Sequence, residues 1–277
     1  MIKLFKKDFF IYFYTIFLGG VSSFSLPPYN YFIINFFTLS LLFIFIINQN
    51  KYQKKIKFFL QGWFFGFGYF LCSLYWISIA LTFDENFKIL IPISIVIVPA
   101  YLAIFYGIAV YIFSFFLKND NISLIIIFSI IFGVVEFLRG NMFSGFPWNL
   151  FAYSFSENLR FIQVLSIIGT YGFNMICITF FLSPTILIFK RTKSEIFTFL
   201  SIFFLALSFL FYGNKNLEEN KSIKLGDDNY TIKIISSKIA IDRFYDEFNE
   251  KKILEEMIEI SSPDLKQQTI FIWPEGV

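Results

Sequence analysis

Glu275, in the segment Trp273-Pro274-Glu275, is the residue of this sequence best placed for chemistry. It follows an apolar run that predicts a buried strand, and a carboxylate just past the C-terminal end of a parallel strand lies where α/β folds place active sites. An apolar wall such as Trp273 raises a carboxylate's proton affinity towards that of a general base. A solvated loop glutamate is the alternative. The sequence has no histidine, so Ser-His-Asp, Cys-His and imidazole-shuttle chemistry are excluded from these residues.

A second pair of ionisable residues, Glu136 and Arg139, lies three positions apart at the end of an apolar run. Charged side chains inside a membrane span are costly, and they usually face a bundle interior or a water-filled cavity. The pair can neutralise itself as a structural bridge, because residues three apart are neighbours on a helix. Alternatively, Arg139 binds the phosphate of a lipid headgroup. The sequence leaves both interpretations open.

An aromatic turn follows this pair, with Phe146-Pro147-Trp148 and then Tyr153. We assign Phe146, Trp148 and Tyr153 together with Arg139 as candidate substrate-binding residues. An aromatic belt at the membrane interface explains the same residues without any function, since Trp and Tyr are enriched there.

The composition is that of a membrane protein and excludes a soluble globular protein. Of the 277 residues, 57% are hydrophobic and 16% are charged, whereas soluble domains are about 45–50% apolar and about 25% charged. A helix needs about 17–25 apolar residues to cross the hydrocarbon core. The sequence predicts seven such spans, at residues 9–24, 31–47, 58–83, 89–117, 122–138, 161–189 and 196–212.

The loops predict the orientation, because Lys and Arg are retained on the cytoplasmic side. Eleven basic residues occupy alternate connections starting from the N-terminus, against three on the other side. The N-terminus is therefore predicted to be cytoplasmic and the C-terminal tail periplasmic. We interpret the basic excess as a topology signal and expect no nucleic-acid partner.

The tail differs from the bundle. Residues 1–212 predict the transmembrane domain, and the polar residues 213–228 predict a linker. Within 229–277, residues 230–235 and 269–273 predict strands, and 242–261 predict an amphipathic helix that ends before Pro263. Such a β-α-β order normally gives parallel strands.

The cysteines, the glycines and two prolines of the apolar runs have structural rather than chemical interpretations. Cys72 and Cys177 lie 105 residues apart in apolar runs, so we predict buried thiols and neither a disulfide nor a metal site. Gly62, Gly66 and Gly68 predict close helix packing. Pro92, Pro99 and glycines early in the sixth span are expected to kink helices rather than end them.

The order of these motifs along the chain resembles the bacterial apolipoprotein N-acyltransferases. The resemblance covers nearly the whole chain, and Phe-Pro-Trp after Glu-x-x-Arg-Gly and Trp-Pro-Glu after a β-α-β unit are its most specific parts. The matching segments are Leu18-Gly19-Gly20, Phe24, Pro27-Pro28-Tyr29, Gly66-Phe67-Gly68-Tyr69-Phe70, Trp76, Pro99, Tyr101, Glu136-Phe137-Leu138-Arg139-Gly140, Phe146-Pro147-Trp148, Tyr153, Gln163, Gly169-Thr170-Tyr171-Gly172 and Trp273-Pro274-Glu275.

The resemblance implies a mainly α fold, a multi-pass helix bundle of about seven spans in the bacterial inner membrane, followed by the first β-α-β unit of a nitrilase-like (carbon-nitrogen hydrolase) α/β domain. It implies transfer of a phospholipid acyl chain to an enzyme cysteine and then to the α-amino group of a diacylglyceryl-modified apolipoprotein. No cofactor or metal is implied. The partners are the phospholipid donor, the apolipoprotein acceptor and the membrane.

The resemblance also assigns residues. Glu275 matches the catalytic glutamate, and Tyr245, or its neighbour Phe244, stands where the family usually has a tryptophan near the substrate. The family's catalytic lysine and cysteine come after Trp-Pro-Glu, so we expect this chain to be truncated before them and inactive alone. The alternative is a non-catalytic membrane module or remnant that binds phospholipid or docks a separately encoded nitrilase half.

Overall fold

The computed structural model describes residues 2–49, 54–143, 145–189, 192–221, 230–236, 250–263 and 268–274. The chain divides into two compact units, Met1–Asn220 and Lys221–Val277. The first unit is helical and contains the predicted membrane bundle. The described residues of the second unit form two short strands and one helix after the end of the last helix of the first unit. Each unit is described by itself.

Eight α-helices form the first unit within the part of the chain that the structure describes. Their bounds are α1 Ile2–Ser23, α2 Ile33–Ile47, α3 Lys55–Leu74, α4 Ile91–Phe113, α5 Asn121–Asn141, α6 Leu159–Ile162, α7 Leu165–Ile188 and α8 Lys193–Lys221. Three 3₁₀ helices join them, at Tyr75–Thr82, Glu85–Leu90 and Phe151–Phe155.

Five helical segments are long and apolar enough to cross a membrane, counted over the described residues. They are Lys55–Thr82, Glu85–Phe113, Asn121–Asn141, Leu165–Ile188 and Lys193–Lys221. The two N-terminal positions hold shorter apolar helices, Phe9–Ser23 and Ile33–Ile47. The 15 residues of α2 rise by only about 22 Å, less than the ~30 Å of hydrocarbon. The first two of the seven predicted spans therefore remain predictions.

The predicted kinks have different outcomes. Pro92 lies in the first turn of α4, where its missing N–H has no helical partner to lose. Pro92 therefore stands beside the change from 3₁₀ to α geometry inside the segment Glu85–Phe113, and Pro99 lies inside α4 as expected. In the sixth predicted span, Gly169 has φ 68° and ψ 170°, a backbone conformation that residues with an L side chain rarely adopt. The helix kinks there.

The last long helix extends into the segment that composition assigns to the linker. α8 continues past Tyr212 to Lys221, so residues 213–221 are helical. Asn216 donates through its Nδ2 to Gln163 Oε1 at 2.7 Å, and Gly213 packs so closely on Arg160 that a Cβ would overlap the Arg160 carbonyl oxygen. These contacts with the start of the sixth span hold the polar end of α8 in place.

Glycines set the distances between α1, α3 and α4, as predicted for Gly62, Gly66 and Gly68. A Cβ on Gly62 would overlap the Tyr106 carbonyl oxygen of α4, and one on Gly68 would overlap the Ile16 carbonyl oxygen of α1. Gly19 of α1 faces the Phe65 carbonyl oxygen of α3 in the same way. Close backbone approach between apolar helices is the usual role of small residues in membrane bundles.

Replacing Gly19 by alanine is expected to destabilise the bundle by about 1–3 kcal/mol, because the added methyl group collides with backbone that cannot move aside. The neighbouring Gly20→Ala is the matched control, since its Cβ would meet only Cys72 Sγ at 3.3 Å and the Gly68 carbonyl oxygen at 3.9 Å. Alanine also favours the helix by about 1 kcal/mol over glycine. Thermal unfolding in detergent, followed by helical ellipticity, measures both. Equal melting temperatures would contradict this packing.

The α1–α2 hairpin is fixed by a buried polar cluster. Ser22 Oγ donates to Asn35 Oδ1 at 2.6 Å, and Asn35 Nδ2 donates to Ser25 Oγ at 2.8 Å. All three side chains are buried, and burying a polar group is costly unless it is hydrogen-bonded. The cluster therefore holds the connection that carries Phe24 and the segment after it.

In the second unit, strand β1 (Tyr230–Ile234) pairs in parallel with β2 (Gln268–Ile272), and helix α9 (Glu250–Ser261) lies between them in the chain. The part of the predicted helix before residue 250 lies outside the described residues. Met257 of α9 is fully buried. Lys233 Nζ donates to the carbonyl oxygen of Ser262 at 3.1 Å, at the C-terminal end of α9 where a positive charge is favourable.

Candidate functional site

The structure describes the residues just before the predicted catalytic residue, but not that residue itself. Glu275 and Tyr245 both lie outside the described residues, so their roles stay predictions. The residues just before Glu275 are described: Trp273 follows β2, and its Nε1 donates to Ser261 Oγ at 3.0 Å. This bond ties the backbone that leads to Glu275 to the end of α9.

In the bundle, Glu136 and Arg139 form a pair at the end of α5 that is closed off from solvent and lipid. Glu136 is 0% and Arg139 is 1% exposed, and Arg139 Nη2 lies 3.8 Å from Glu136 Oε1. Tyr106 of α4 donates its hydroxyl to Glu136 Oε1 at 2.6 Å, and Asn174 of α7 donates to Glu136 Oε2. Three helices therefore meet on one carboxylate.

The side chain of Arg139 holds the backbone of the aromatic turn in place. Its Nη1 donates to the Phe146 carbonyl oxygen at 2.7 Å and to the Trp148 carbonyl oxygen at 2.9 Å. The guanidinium also lies over the Phe70 ring, 5.2 Å from its centroid, and cations are attracted to aromatic faces. These contacts support the structural bridge of the two interpretations that the sequence leaves open. A direct contact of Arg139 with a lipid phosphate stays a prediction.

The turn itself has unusual backbone angles, with Gly145 at φ 70° and Asn149 at φ 59°. Two tyrosine hydroxyls fasten it further: Tyr69 donates to the Asn149 carbonyl oxygen and Tyr153 to the Pro147 carbonyl oxygen, both at 3.1 Å. Partial burial raises the pKa of the Tyr153 hydroxyl. Tyr153 therefore stays protonated and remains a donor at neutral pH.

A cavity of about 740 Å³ lies against this turn. It is formed by the α1–α2 connection, the end of α3 with the following 3₁₀ helix, the aromatic turn and the 3₁₀ helix Phe151–Phe155 with its C-cap. The lining residues are Ser23, Phe24, Leu26, Pro27, Pro28, Tyr29, Cys72, Ser73, Tyr75, Trp76, Trp148, Asn149, Tyr153 and Ser156.

The cavity wall is aromatic and neutral. Trp76 and Trp148 stack with ring centroids 5.7 Å apart, and both are about half exposed at 46% and 49%. None of the described lining residues is acidic or basic. Serine and tyrosine hydroxyls, with Asn149 and Cys72, supply the polar groups. Such a wall suits an apolar chain with a neutral polar end, such as an ester, rather than a bare phosphate.

The structure thus brings together part of the predicted set. Trp148 and Tyr153 line the cavity. Phe146 packs behind them against the core, with its ring 5.9 Å from the Arg139 guanidinium, and Arg139 acts from within the bundle. The wall contains no nucleophile with an adjacent base among the described residues, so the cavity can bind and orient but needs chemistry from elsewhere.

One of the two cysteine predictions was wrong. Cys177 is buried, but Cys72 is exposed and lines the cavity. The apolar run around Cys72 predicted burial because apolar neighbours in sequence usually surround a packed position. Near its C-terminal end, however, α3 turns one side towards the cavity, and the thiol lies on that side.

Sequence reasoning missed three polar residues that support the site, Tyr69, Tyr106 and Asn174. Asn174 carried the clearest signal, because an amide inside the apolar run of the sixth span must find hydrogen-bond partners. Its Oδ1 accepts from the Ala152 amide at 2.9 Å. Tyr69 lies in the segment Gly66-Phe67-Gly68-Tyr69-Phe70 that carries the resemblance but receives no role from it, and Tyr106 is hidden among many other aromatics.

Comparisons with known proteins agree with the motifs. The family described as apolipoprotein N-acyltransferase N-terminal domain matches residues 18–183. Proteins named apolipoprotein N-acyltransferase are similar beyond that range. The one from Rhodopseudomonas palustris is 27% identical over 273 residues, which covers 93% of this chain and 50% of the relative. The one from Brucella melitensis is 27% identical over 271 residues, again 93% and 50%.

A relative from Rhizobium rhizogenes is 32% identical over 181 residues, which covers 62% of this chain and 34% of the relative. The chain spans about half the length of the first two relatives. The family match includes every residue that lines the cavity. The chain belongs to the apolipoprotein N-acyltransferase N-terminal domain family.

Proposed function

We propose that this chain supplies the membrane half and the catalytic carboxylate of an apolipoprotein N-acyltransferase. The reaction moves an acyl chain from a phospholipid to the α-amino group of a diacylglyceryl-cysteine at a lipoprotein's N-terminus. The observation that carries the proposal is the cavity, because it gathers the motif residues Phe24, Tyr29, Trp76, Trp148 and Tyr153 from separate parts of the chain into one wall.

The proposed chemistry has two balanced steps. In the first, Glu275 accepts the proton of a cysteine thiol, and the thiolate attacks the ester carbonyl. The ester C–O bond breaks and Glu275 returns the proton to the departing alkoxide oxygen, which releases a lysophospholipid and leaves a thioester. In the second, the carboxylate of Glu275 accepts a proton from the α-amine as the nitrogen attacks the thioester; the C–S bond breaks, the amide forms, and Glu275 returns the proton to the thiolate, which leaves as the thiol. A lysine stabilises the oxyanion in both steps. The resemblance places this lysine and cysteine after Trp-Pro-Glu.

The cavity's part in this reaction is to bind lipid. Its volume of about 740 Å³ lies within the ~300–1,000 Å³ typical of small-molecule sites. The stacked indoles of Trp76 and Trp148 offer apolar surface for acyl chains, and hydroxyls such as those of Ser73 and Tyr153 can donate to ester oxygens. A neutral wall favours the glycerol-ester part of the lipid, which the donor and the acceptor share.

The finer architecture belongs to the same proposal. We propose about seven spans, with the short helices α1 and α2 as the first two, in the bacterial inner membrane. The distribution of basic residues supports a cytoplasmic N-terminus and a periplasmic tail. The parallel pairing of β1 and β2, with a helix between them in the chain, supports the start of a nitrilase-like domain there.

A bacterium depleted of its own apolipoprotein N-acyltransferase tests the proposal. Residues 1–277 are expressed alone, and also together with the genomic sequence that follows them. We expect growth to be restored only when a lysine and a cysteine are supplied after Trp-Pro-Glu.

The other outcomes of this experiment are equally informative. Growth with residues 1–277 alone would show that the nucleophile is not where the resemblance places it. If neither form restores growth although both reach the membrane, acyl transfer is contradicted, and a module that only binds phospholipid or docks a separately encoded half becomes the better account.

A further inference from the structure

The aromatic turn and the 3₁₀ helix after it are held by one buried cluster. Arg139 Nη1 donates to the carbonyl oxygens of Phe146 and Trp148, and Asn174 Oδ1 accepts from the amide of Ala152. Glu136 lies between Arg139 and Asn174 and contacts both. Three backbone groups of one cavity wall are therefore fastened to a single carboxylate-centred network.

From this arrangement we infer that Asn174 and Glu136 form an amide–carboxylate pair that positions the cavity wall through Arg139 and Ala152. The pair acts on substrate only through the backbone it holds, so both are positioning residues. The inference does not depend on which reaction the cavity serves.

The hydrogen bonds of the pair have one arrangement. Asn174 Nδ2 is the donor to Glu136 Oε2 and its Oδ1 is the acceptor for Ala152, while Tyr106 donates to Glu136 Oε1. Each of these amide and carboxylate atoms therefore meets a group of the opposite kind. An unpaired polar group in such a buried site is costly, so a change that removes a donor should disturb the whole cluster.

Asn174→Asp breaks the pattern without changing the size of the side chain. When both carboxyl groups are ionised, the new one can still accept from Ala152, but its other oxygen faces Glu136 Oε2 and cannot donate to it. The variants are therefore compared at rising pH, because a shared proton would let one carboxyl group donate to the other. Two carboxylates in contact repel each other. The carboxylate of Glu136 is then expected to shift towards Arg139, which loosens the guanidinium from the Phe146 and Trp148 carbonyl oxygens.

The inference also predicts a rescue. In the double variant Glu136→Gln/Asn174→Asp, the amide and the carboxylate exchange places. The new amide at position 136 can donate to the new carboxylate at position 174 while still accepting from Tyr106. The new carboxylate can accept both from that amide and from Ala152. The net charge of the cluster is the same as in the original protein. If Asn174 and Glu136 only filled space, exchanging the amide and the carboxylate between the two positions would not restore the cavity wall.

Cys72 provides the readout, because it lines the cavity whereas Cys177 is buried. The full chain in detergent is labelled with a maleimide, and the rate at Cys72 is measured by peptide mass. The near-ultraviolet circular dichroism of the stacked Trp76 and Trp148 reports the wall directly, with Trp148→Phe to identify their contribution. Asn119→Asp, an exposed amide-to-acid change, is the matched control.

We expect Asn174→Asp to change the labelling rate of Cys72 by more than about threefold, because the thiol lines the same cavity as the displaced wall, and to reduce the indole signal. The double variant should return both to within about twofold of the original values. Rates for Asn174→Asp equal to those of Asn119→Asp would overturn the inference. So would a double variant that behaves like Asn174→Asp, or one that fails to fold.

Discussion

Replacing Arg139 by methionine is expected to lower the free energy of unfolding by about 3–5 kcal/mol, the usual loss when one partner of a buried ion pair is removed. Methionine keeps much of the side-chain volume, so the effect comes from charge and hydrogen bonding. Glu136, 0% exposed, would keep only neutral donors. The carbonyl oxygens of Phe146 and Trp148 would also lose the Nη1 donor. Unfolding in detergent by added denaturing surfactant, followed by helical ellipticity, measures the loss.

The double variant Glu136→Gln/Arg139→Met separates the two causes. It removes the unpaired buried carboxylate but leaves both carbonyl oxygens without Nη1. Because an uncompensated charge is the larger part of the cost, the double variant should be more stable than Arg139→Met by at least about 1 kcal/mol. If Arg139→Met alone stays within about 0.5 kcal/mol of the original protein, the pair does not hold the turn, and the lipid-headgroup interpretation of Arg139 gains support.

Glu275→Gln is expected to have the largest effect on activity, a fall in N-acylation of roughly 10²–10⁴-fold, which is the usual contribution of a positioned acid–base group. Glutamine has the same shape but cannot accept the proton of the thiol or of the α-amine. The rate is measured in membranes that contain the chain with its following sequence, as transfer of a labelled acyl chain from phospholipid to a lipoprotein peptide.

Glu256→Gln is the matched control, since Glu256 is exposed on α9 and the exchange is the same. It should leave the rate within about twofold. Equal rates for Glu275→Gln and Glu256→Gln would remove Glu275 from the mechanism and return it to the alternative of a solvated loop residue. Membrane levels of each variant, compared by immunoblot, separate loss of catalysis from loss of protein.

Hydropathy predicted the positions of the helices well. Burying charged residues in lipid is so costly that the membrane helices must coincide with the apolar runs of the sequence. The predicted span 122–138 corresponds to α5 at Asn121–Asn141. The roles of Gly62 and Gly68 also followed from the sequence, since small residues in apolar helices mark close approach. The length of α2 was predicted less well. The predicted span begins at residue 31, because apolar turn residues extend the hydrophobic run, whereas the helix begins at Ile33.

Other features could not be predicted because they depend on which helices become neighbours. Asn174 and Glu136 are 38 residues apart in the sequence, and only packing of α7 against α5 brings them together. The exposure of Cys72 depends on the cavity that forms between the α1–α2 connection and the end of α3. The helical residues after Tyr212 are supported by a bond from Asn216 to Gln163, which their polar composition does not reveal.

The mass of a lipoprotein's N-terminal peptide shows directly whether this chain takes part in N-acylation. The peptide is isolated from an acyltransferase-depleted bacterium that expresses this chain with the sequence that follows it. We expect one additional acyl chain, joined as an amide to the α-amino group of the diacylglyceryl-cysteine, and its absence with Glu275→Gln. A free α-amine in both strains, with both proteins present in the membrane, would show that the chain does not serve in acyl transfer.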